Sequence, residues 1–376
     1  MHRTKIYPGK QTGMTLIELM VALAIGCVLL IGLATVFFNS SRTHRELEKS
    51  GQMIEDGRYA MNLVYDDLRH AGFYGYFFDL PAAPATLPDP CETADLANLA
   101  TAMAVPVQGF HAASTGALPT SSPTTCASGG GTDLLQTSGT YKNLQAGSDI
   151  LVLRRADTNV LTGAAVEKDV YLQANGQGYE FTIGSASANV PTSKADGTAA
   201  TMLKFPSSAT HAEYADTRKY HVHVYFVAPC STGSGPDGVC QASDPQLPTL
   251  KRLELSSDGA NTQMSIVPLV EGIQYFKVEY GIDDTPSTAD PITFLVGDGI
   301  PDSYVSAPAT AQWPNVVSVR IYVLARNIKA TDDYQDSATY TLSGASFGPF
   351  GDKYKRHVFS TEVRPMNAAG RREIPQ

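Results

Sequence analysis

The sequence predicts an α+β protein: one long N-terminal helix packed on an antiparallel sheet with large loop insertions. Three observations predict it. Residues Leu19–Phe38 carry no charged side chain. From Ser40 to Gly72, apolar and small residues recur at helical spacing. From Asp149 onward, short β-branched and aromatic runs alternate with Gly-, Pro- and Ser-rich joints. The 376 residues are 43% apolar and 17% charged, which excludes a wholly disordered or collagen-like chain and allows a proper core.

The apolar run is the first element. Its 20 residues span about 30 Å as a helix, the thickness of a bilayer core. Arg3, Lys5 and Lys10 precede the first acidic residue, Glu18. This basic excess places the N-terminus in the cytoplasm and the rest of the chain outside. The apolar run is too long for an ordinary secretory signal, and no small-x-small cleavage site follows it. Net charge is −9, and −12 without residues 1–13, because 25 Lys and Arg then face 37 Asp and Glu. Such a chain has no general attraction for phosphate backbones, so nucleic acid is not an expected partner.

Glu18 stands out. A carboxylate near the centre of a membrane helix costs about 2.5–3.5 kcal/mol and less near its end. One reading is an interfacial Glu at a frayed helix start. The other needs a cationic partner, and cleavage after Gly13 would supply one in the new amine of Met14.

The second element continues the helix over Ser40–Gly72. Leu47, Ile54, Met61 and Leu68 recur every seven residues, and Ser50, Gly57, Val64 and Ala71 sit three further on. This seam is expected on the protein's own sheet, on the helices of other subunits, or on both. Gly51 and Gly57 each weaken a helix by ~1 kcal/mol relative to Ala, so a bend is expected there. The expected strands are Asp149–Arg154, Asp169–Gln173, Tyr179–Ile183, Thr201–Phe205, Lys219–Val227, Leu250–Leu255, Met264–Leu269, Ile273–Tyr280, Val316–Ala325 and His357–Val363. Ala112–Thr140 and Gly184–Ala200 read as surface insertions. So many strands imply an enlarged sheet or a subdomain inserted between 80 and 260.

Gly13-Met14-Thr15-Leu16-Ile17-Glu18-Leu19-Met20, after a basic leader and before an apolar helix, resembles the class III signal of type IV pilins and pseudopilins. Met14 stands where that family usually has Phe. Gly57-Arg58-Tyr59-Ala60, Asp67-Leu68-Arg69-His70-Ala71-Gly72-Phe73, Leu269-Val270-Glu271-Gly272-Ile273-Gln274, Trp313-Pro314-Asn315-Val316 and Phe359-Ser360-Thr361-Glu362-Val363-Arg364 resemble the PilW family of minor pilins. Arg364-Pro365-Met366-Asn367 departs from that family's plainer ending.

The resemblance implies a pilin-like fold and a definite organisation. Residues 1–13 are a leader removed by prepilin peptidase after Gly13, with methylation of Met14. Residues 14–39 are the membrane and filament-core helix, 40–72 its amphipathic continuation, and 73–376 a periplasmic β-rich domain. Glu18 pairs with a neighbouring subunit's amine during assembly. The implied function is a minor pilin, without enzymatic activity, that primes pilus assembly in a tip-proximal complex. Its implied partners are other minor pilins, the major pilin, a large tip adhesin and the inner-membrane assembly platform. A minor pseudopilin of type II secretion, or a pilin-anchored surface-binding module, are the alternatives.

Five cysteines divide by position. Cys27 lies in the apolar helix and reads as a small core residue. Cys91, Cys126, Cys230 and Cys240 fall in the exported part, an even number that suits an oxidising compartment. Three pairings are open, of which Cys91–Cys126 with Cys230–Cys240 is the most local.

Catalytic and metal patterns are sparse. Gly344-Ala345-Ser346-Phe347-Gly348 matches the hydrolase elbow, but Pro349 and Gly351 follow where a helix must start, so a glycine-rich loop is expected. His221 and His223 share a strand face and are expected to be exposed, with no third metal ligand nearby. No cofactor is expected. The calcium candidates are Asp298 and Asp302, with Asp283 and Asp284 upstream, in a Gly-Asp-Gly-Ile-Pro-Asp turn that lacks EF-hand spacing.

Overall fold

Thr15 starts the helix in the computed structural model of the protein, which describes residues 13–93, 95–119, 126–128, 131–135, 143–184, 215–284 and 297–373. Two compact units emerge, Met1–Gly51 and Gln52–Gln376. The first carries most of α1 (Leu16–His70), whose most apolar window has a mean hydropathy of 2.7 and holds no buried residue. By length and composition it can cross a membrane. Cys27 is free and exposed on this helix, not a core residue. In this unit the helix has no sheet to cover it, so an apolar position there is surface.

The second unit begins with the last turns of α1. Met53, Gly57, Ala60, Met61, Val64, Asp67 and Leu68 are buried. These positions follow the 3.6-residue period of a straight helix. The expected seven-residue seam meets the protein's own sheet at Met61, Leu68, Gly57, Val64 and Ala71, whereas Ile54 and Leu47 further back are exposed on the single chain. A strict heptad drifts by ~20° per repeat on a straight helix, which carries the earlier members off the buried face. The helix continues through Gly51 and Gly57 without a break. At Gly57 a Cβ would overlap the ring of Phe359, so the glycine admits that ring against the helix.

Beyond the helix follow α2 (Leu96–Ala102), β1 (Val107–Phe110), β2 (Ile150–Ala156), β3 (Val170–Ala174), β4 (Tyr179–Ile183), β5 (Thr217–Ala228), β6 (Thr249–Ser257) and β7 (Thr262–Glu271). Then come β8 (Ile273–Ile282), β9 (Ser303–Val305), β10 (Val316–Arg326), β11 (Tyr340–Leu342), β12 (Ala345–Phe347), β13 (Arg356–Val363) and α3 (Met366–Glu373). All pairings are antiparallel. Among the described residues, seven strands form one sheet in the order β1-β2-β5-β3-β4, with β6 and β7 continuing from β5. A second sheet runs β13-β10-β8-β9, and β11 and β12 form a hairpin. The expected strand Thr201–Phe205, the insertion past Gly184 and part of Ala112–Thr140 lie outside the described residues.

The chain changes sheets at Gly272. Its φ is 78°, and a Cβ there would stand 2.7 Å from the Arg326 carbonyl oxygen. Only glycine suits both demands.

Side-chain alternation builds two large cores, and Tyr275, Leu324, Leu342 and Phe347 form a smaller third one. Leu151, Leu153, Tyr225 and Val227 face the α1 stripe, together with Phe276, Val278, Ile321 and Val323 of the second sheet. Ile150, Val152, Val222, Val224 and Phe226 point the other way, into a core with Tyr74, Phe77, Leu99 and all four paired cysteines. Both faces of the large sheet are thus buried. That explains the unbroken burial of residues 150–154 in β2 and 222–228 in β5. The strands between 80 and 260 belong to this sheet.

Candidate assembly site

The head of α1 is built by its first turn. Thr15 N and Thr15 Oγ1 both donate to Glu18 Oε2 at 2.9 Å, and Glu18 N donates back to Thr15 Oγ1 at 3.4 Å. This is a reciprocal capping box, which satisfies helix-start donors that otherwise have no partner. The spacing Thr15-x-x-Glu18 announces it in the sequence, and the sequence reading overlooked it. Glu18 therefore has a structural role inside its own helix besides any role between subunits. It stands beside Ile17, Val21, Ala22 and Ile25 on an apolar helix surface. Met14 is 64% exposed next to it. Gly13 has open space around it.

A polar lattice fixes the lower part of the helix to the large sheet. Asp67 lies on the buried stripe of α1 and is 6% exposed. It meets Arg155 Nε at 2.7 Å, His223 Nδ1 at 2.5 Å and Tyr225 Oη at 2.9 Å. Burial alone would raise its pKa. The charges and hydrogen bonds of His223 and then Arg155 outweigh that and hold the carboxyl well below its usual range. An ionised carboxylate can only accept, so His223 carries its proton on Nδ1. Burial first, then the Asp67 charge, pushes the Tyr225 hydroxyl far up.

The two histidines do share a face, with ring centroids 5.3 Å apart. They are not exposed, however. His223 is 5% exposed, and His221 is largely covered, with Nε2 3.3 Å from Asp157 Oδ2. Burial, then the nearby charges of His223 and Arg155, brings the His221 pKa down to about 4. The correction has a simple cause: the face they share is the one α1 covers, and Asp67 arrives on it from 156 residues away. Each imidazole is taken by a carboxylate. Among the described residues, no three His, Cys, Asp or Glu side chains gather as metal ligands.

Disulfides join Cys91 to Cys126 and Cys230 to Cys240, with Cα atoms 5.0 and 5.8 Å apart. Both are buried behind the large sheet, where they tie loop segments to its outer core. Lys251 Nζ lies 3.6 Å from Cys240 Sγ, and burial brings its pKa down to about 8.

The turn carrying Asp298 and Asp302 is held by its own backbone. Asp298 Oδ1 accepts from Ile300 N at 2.8 Å, and Asp302 Oδ2 accepts from Asp284 N at 2.9 Å. Asp283 is fully buried, paired with Arg372 Nε at 2.7 Å. Ser346 sits in β12 opposite Thr341, so the elbow-like stretch is a hairpin strand rather than a loop.

Comparison with known proteins follows the same division. Residues 224–367 match the family Type IV Pilus-assembly protein W, PilW. Residues 8–34 match the prokaryotic N-terminal methylation motif. No curated protein and no solved structure matches the chain. The first match spans the last part of β5 and β6 to β13; the second covers the capping box and the start of the apolar helix.

Proposed function

We propose that this chain is a type IV minor pilin of the PilW family and that it primes pilus assembly as part of a tip-proximal minor pilin complex. Processing after Gly13 exposes the Met14 amine. The apolar part of α1 anchors the subunit in the inner membrane, with the globular unit in the periplasm, and later enters the filament core. Other minor pilins, the major pilin and a large tip adhesin are its partners, the prepilin peptidase its processing enzyme and the inner-membrane platform its site of assembly. The role proposed here is structural and calls for neither catalysis nor a bound ion.

Glu18 is the observation that carries this reading. Its Oε2 closes the capping box, and the carboxylate remains on an exposed apolar surface. Moving it into hydrocarbon is costly unless a positive charge accompanies it. An amine from an adjacent subunit supplies that charge and couples neutralisation to docking.

A strain lacking the gene, complemented with the wild type or Glu18→Gln, tests the reading. The variant keeps the size of the side chain and its acceptor oxygen. It should insert in the membrane normally, lose co-purification with the other minor pilins and lower the number of pili. Wild-type capture and piliation by Glu18→Gln would overturn the docking role. Loss of protein export with normal pili would point to a secretion pseudopilin instead.

A further inference from the structure

Lys251 of β6 is 1% exposed, and its ammonium faces a disulfide. Nζ lies 3.6 Å from Cys240 Sγ and 3.9 Å from Cys230 Sγ, with the Gly238 carbonyl oxygen at 3.5 Å. A sulfur of this kind is a weak acceptor. Among the described residues no carboxylate stands within hydrogen-bond distance of Nζ. Asp244 attracts it only from further off, because its oxygens accept from Ser234 N, Ser234 Oγ and Gln241 N. Burial brings the Lys251 pKa down to about 8, which still leaves the amine charged at pH 7. The oxidised protein therefore holds a buried cation against a neutral bridge.

The other disulfide has the opposite surroundings. Cys91 N donates to Asp89 Oδ1 at 2.9 Å and Cys126 N to Asp133 Oδ1 at 3.1 Å, so carboxylates stand beside it.

We propose that Cys230–Cys240 is a redox-responsive bridge, and that Lys251 tunes it by holding the reduced pair as a thiolate paired with its ammonium. A cation beside a cysteine favours the thiolate, and whatever stabilises the reduced form makes a disulfide easier to reduce. The reductant is a small dithiol. One of its sulfurs, as thiolate, attacks the bridge, breaks the S–S bond and leaves a mixed disulfide. Its second sulfur then closes the reagent's own disulfide and releases the second cysteine. Two electrons pass to the bridge; one proton of the dithiol stays on one cysteine, and the other leaves to solvent. The remaining thiolate takes Lys251 as its counterion. Both sulfurs are sealed in the closed bridge, so exchange begins with opening of the loop between them, in which none of residues 231–238 is buried. The inference does not depend on the docking role of Glu18 and stands or falls separately.

The full chain in detergent, equilibrated at pH 7 with graded ratios of reduced to oxidised dithiothreitol, tests it. Free thiols are then alkylated and each pair is read by peptide mass spectrometry. In the wild type, Cys230–Cys240 should be half reduced at a less reducing ratio than Cys91–Cys126. Lys251→Met should make Cys230–Cys240 about tenfold harder to reduce, a shift of about 30 mV for a two-electron couple. Lys251→Arg, which keeps the charge, should restore most of that shift, and Cys91–Cys126 should not move in either variant. A second measurement needs only the wild type. In the reduced protein, alkylation across about pH 5–9 should show one cysteine of the pair reacting with a midpoint below the ordinary thiol value of about 8.5. Prior reduction of Cys91–Cys126 in the wild type would overturn the proposal, as would an unmoved Cys230–Cys240 in Lys251→Met or a midpoint at or above the ordinary value.

Discussion

Replacing Asp67 by Asn keeps the volume of the side chain and removes its charge. In the structure that carboxylate holds Arg155, His223 and Tyr225 at once, at 2.7, 2.5 and 2.9 Å. The amide can accept from some of these donors, but its NH₂ must then face another donor. Removing one partner of a buried ion pair costs about 3–5 kcal/mol. Arg155 is 19% exposed and regains some water, which places the expected loss at the lower end, about 3 kcal/mol. Urea unfolding followed by fluorescence reads this directly, because Trp313 is the one tryptophan and is 2% exposed in the core beneath α1. The pH dependence adds a second criterion. The Asp67 carboxyl is held below its unfolded value, so its contribution is complete above about pH 4 and is lost as pH falls toward the folded pKa. The gap between wild type and Asp67→Asn should be full at pH 7 and narrow below pH 4. A loss under about 0.5 kcal/mol at pH 7 would refute the role of the lattice in holding the helix to the sheet, since that is the scale of ordinary surface changes.

His221, with its pKa lowered to about 4, favours folding fully above its unfolded value near 6.5 and loses that contribution as pH falls through about 4. Stability should therefore drop by up to about 3 kcal/mol between pH 6.5 and 4, and His221→Gln should flatten that slope in urea titrations. Loop entropy ranks the disulfides: with separations of 35 and 10 residues, replacing both cysteines of Cys91–Cys126 should cost about 4 kcal/mol, against about 3 for Cys230–Cys240. Non-reducing peptide mapping should recover those two pairs and a free Cys27. Intact mass of the membrane-extracted protein should begin at Met14 with one added methyl; a chain beginning at Met1 or beyond Phe38 would contradict the processing.

Elements with a strong periodic signal were legible in the sequence. The apolar helix, and strands such as β5, β8 and β10, repeat one pattern long enough to be read. Short elements were not. α2 has 7 residues and β11 and β12 have 3 each, so their existence depends on what they pack against. α3 begins at Met366, just where the ending departs from the family pattern after Pro365, and its two arginines reach back to Gly72 and Asp283. Contacts of that sequence separation leave no local trace. The Asp67 lattice did leave one: an acidic residue on the buried stripe of an amphipathic helix requires a buried partner, and the paired histidines of β5 were the available ones. The capping box at Thr15 and Glu18 was fully legible and explains part of the Glu18 geometry without any neighbour.

Counting this subunit in purified filaments tests the account most directly. Pili sheared from cells and sorted by length can be analysed by quantitative mass spectrometry against the major pilin. A subunit that primes assembly and stays near the tip is present in a fixed, small number per filament, so its ratio to the major pilin falls in inverse proportion to length. A ratio that stays constant with length, or filaments that contain none of it, would contradict the priming role.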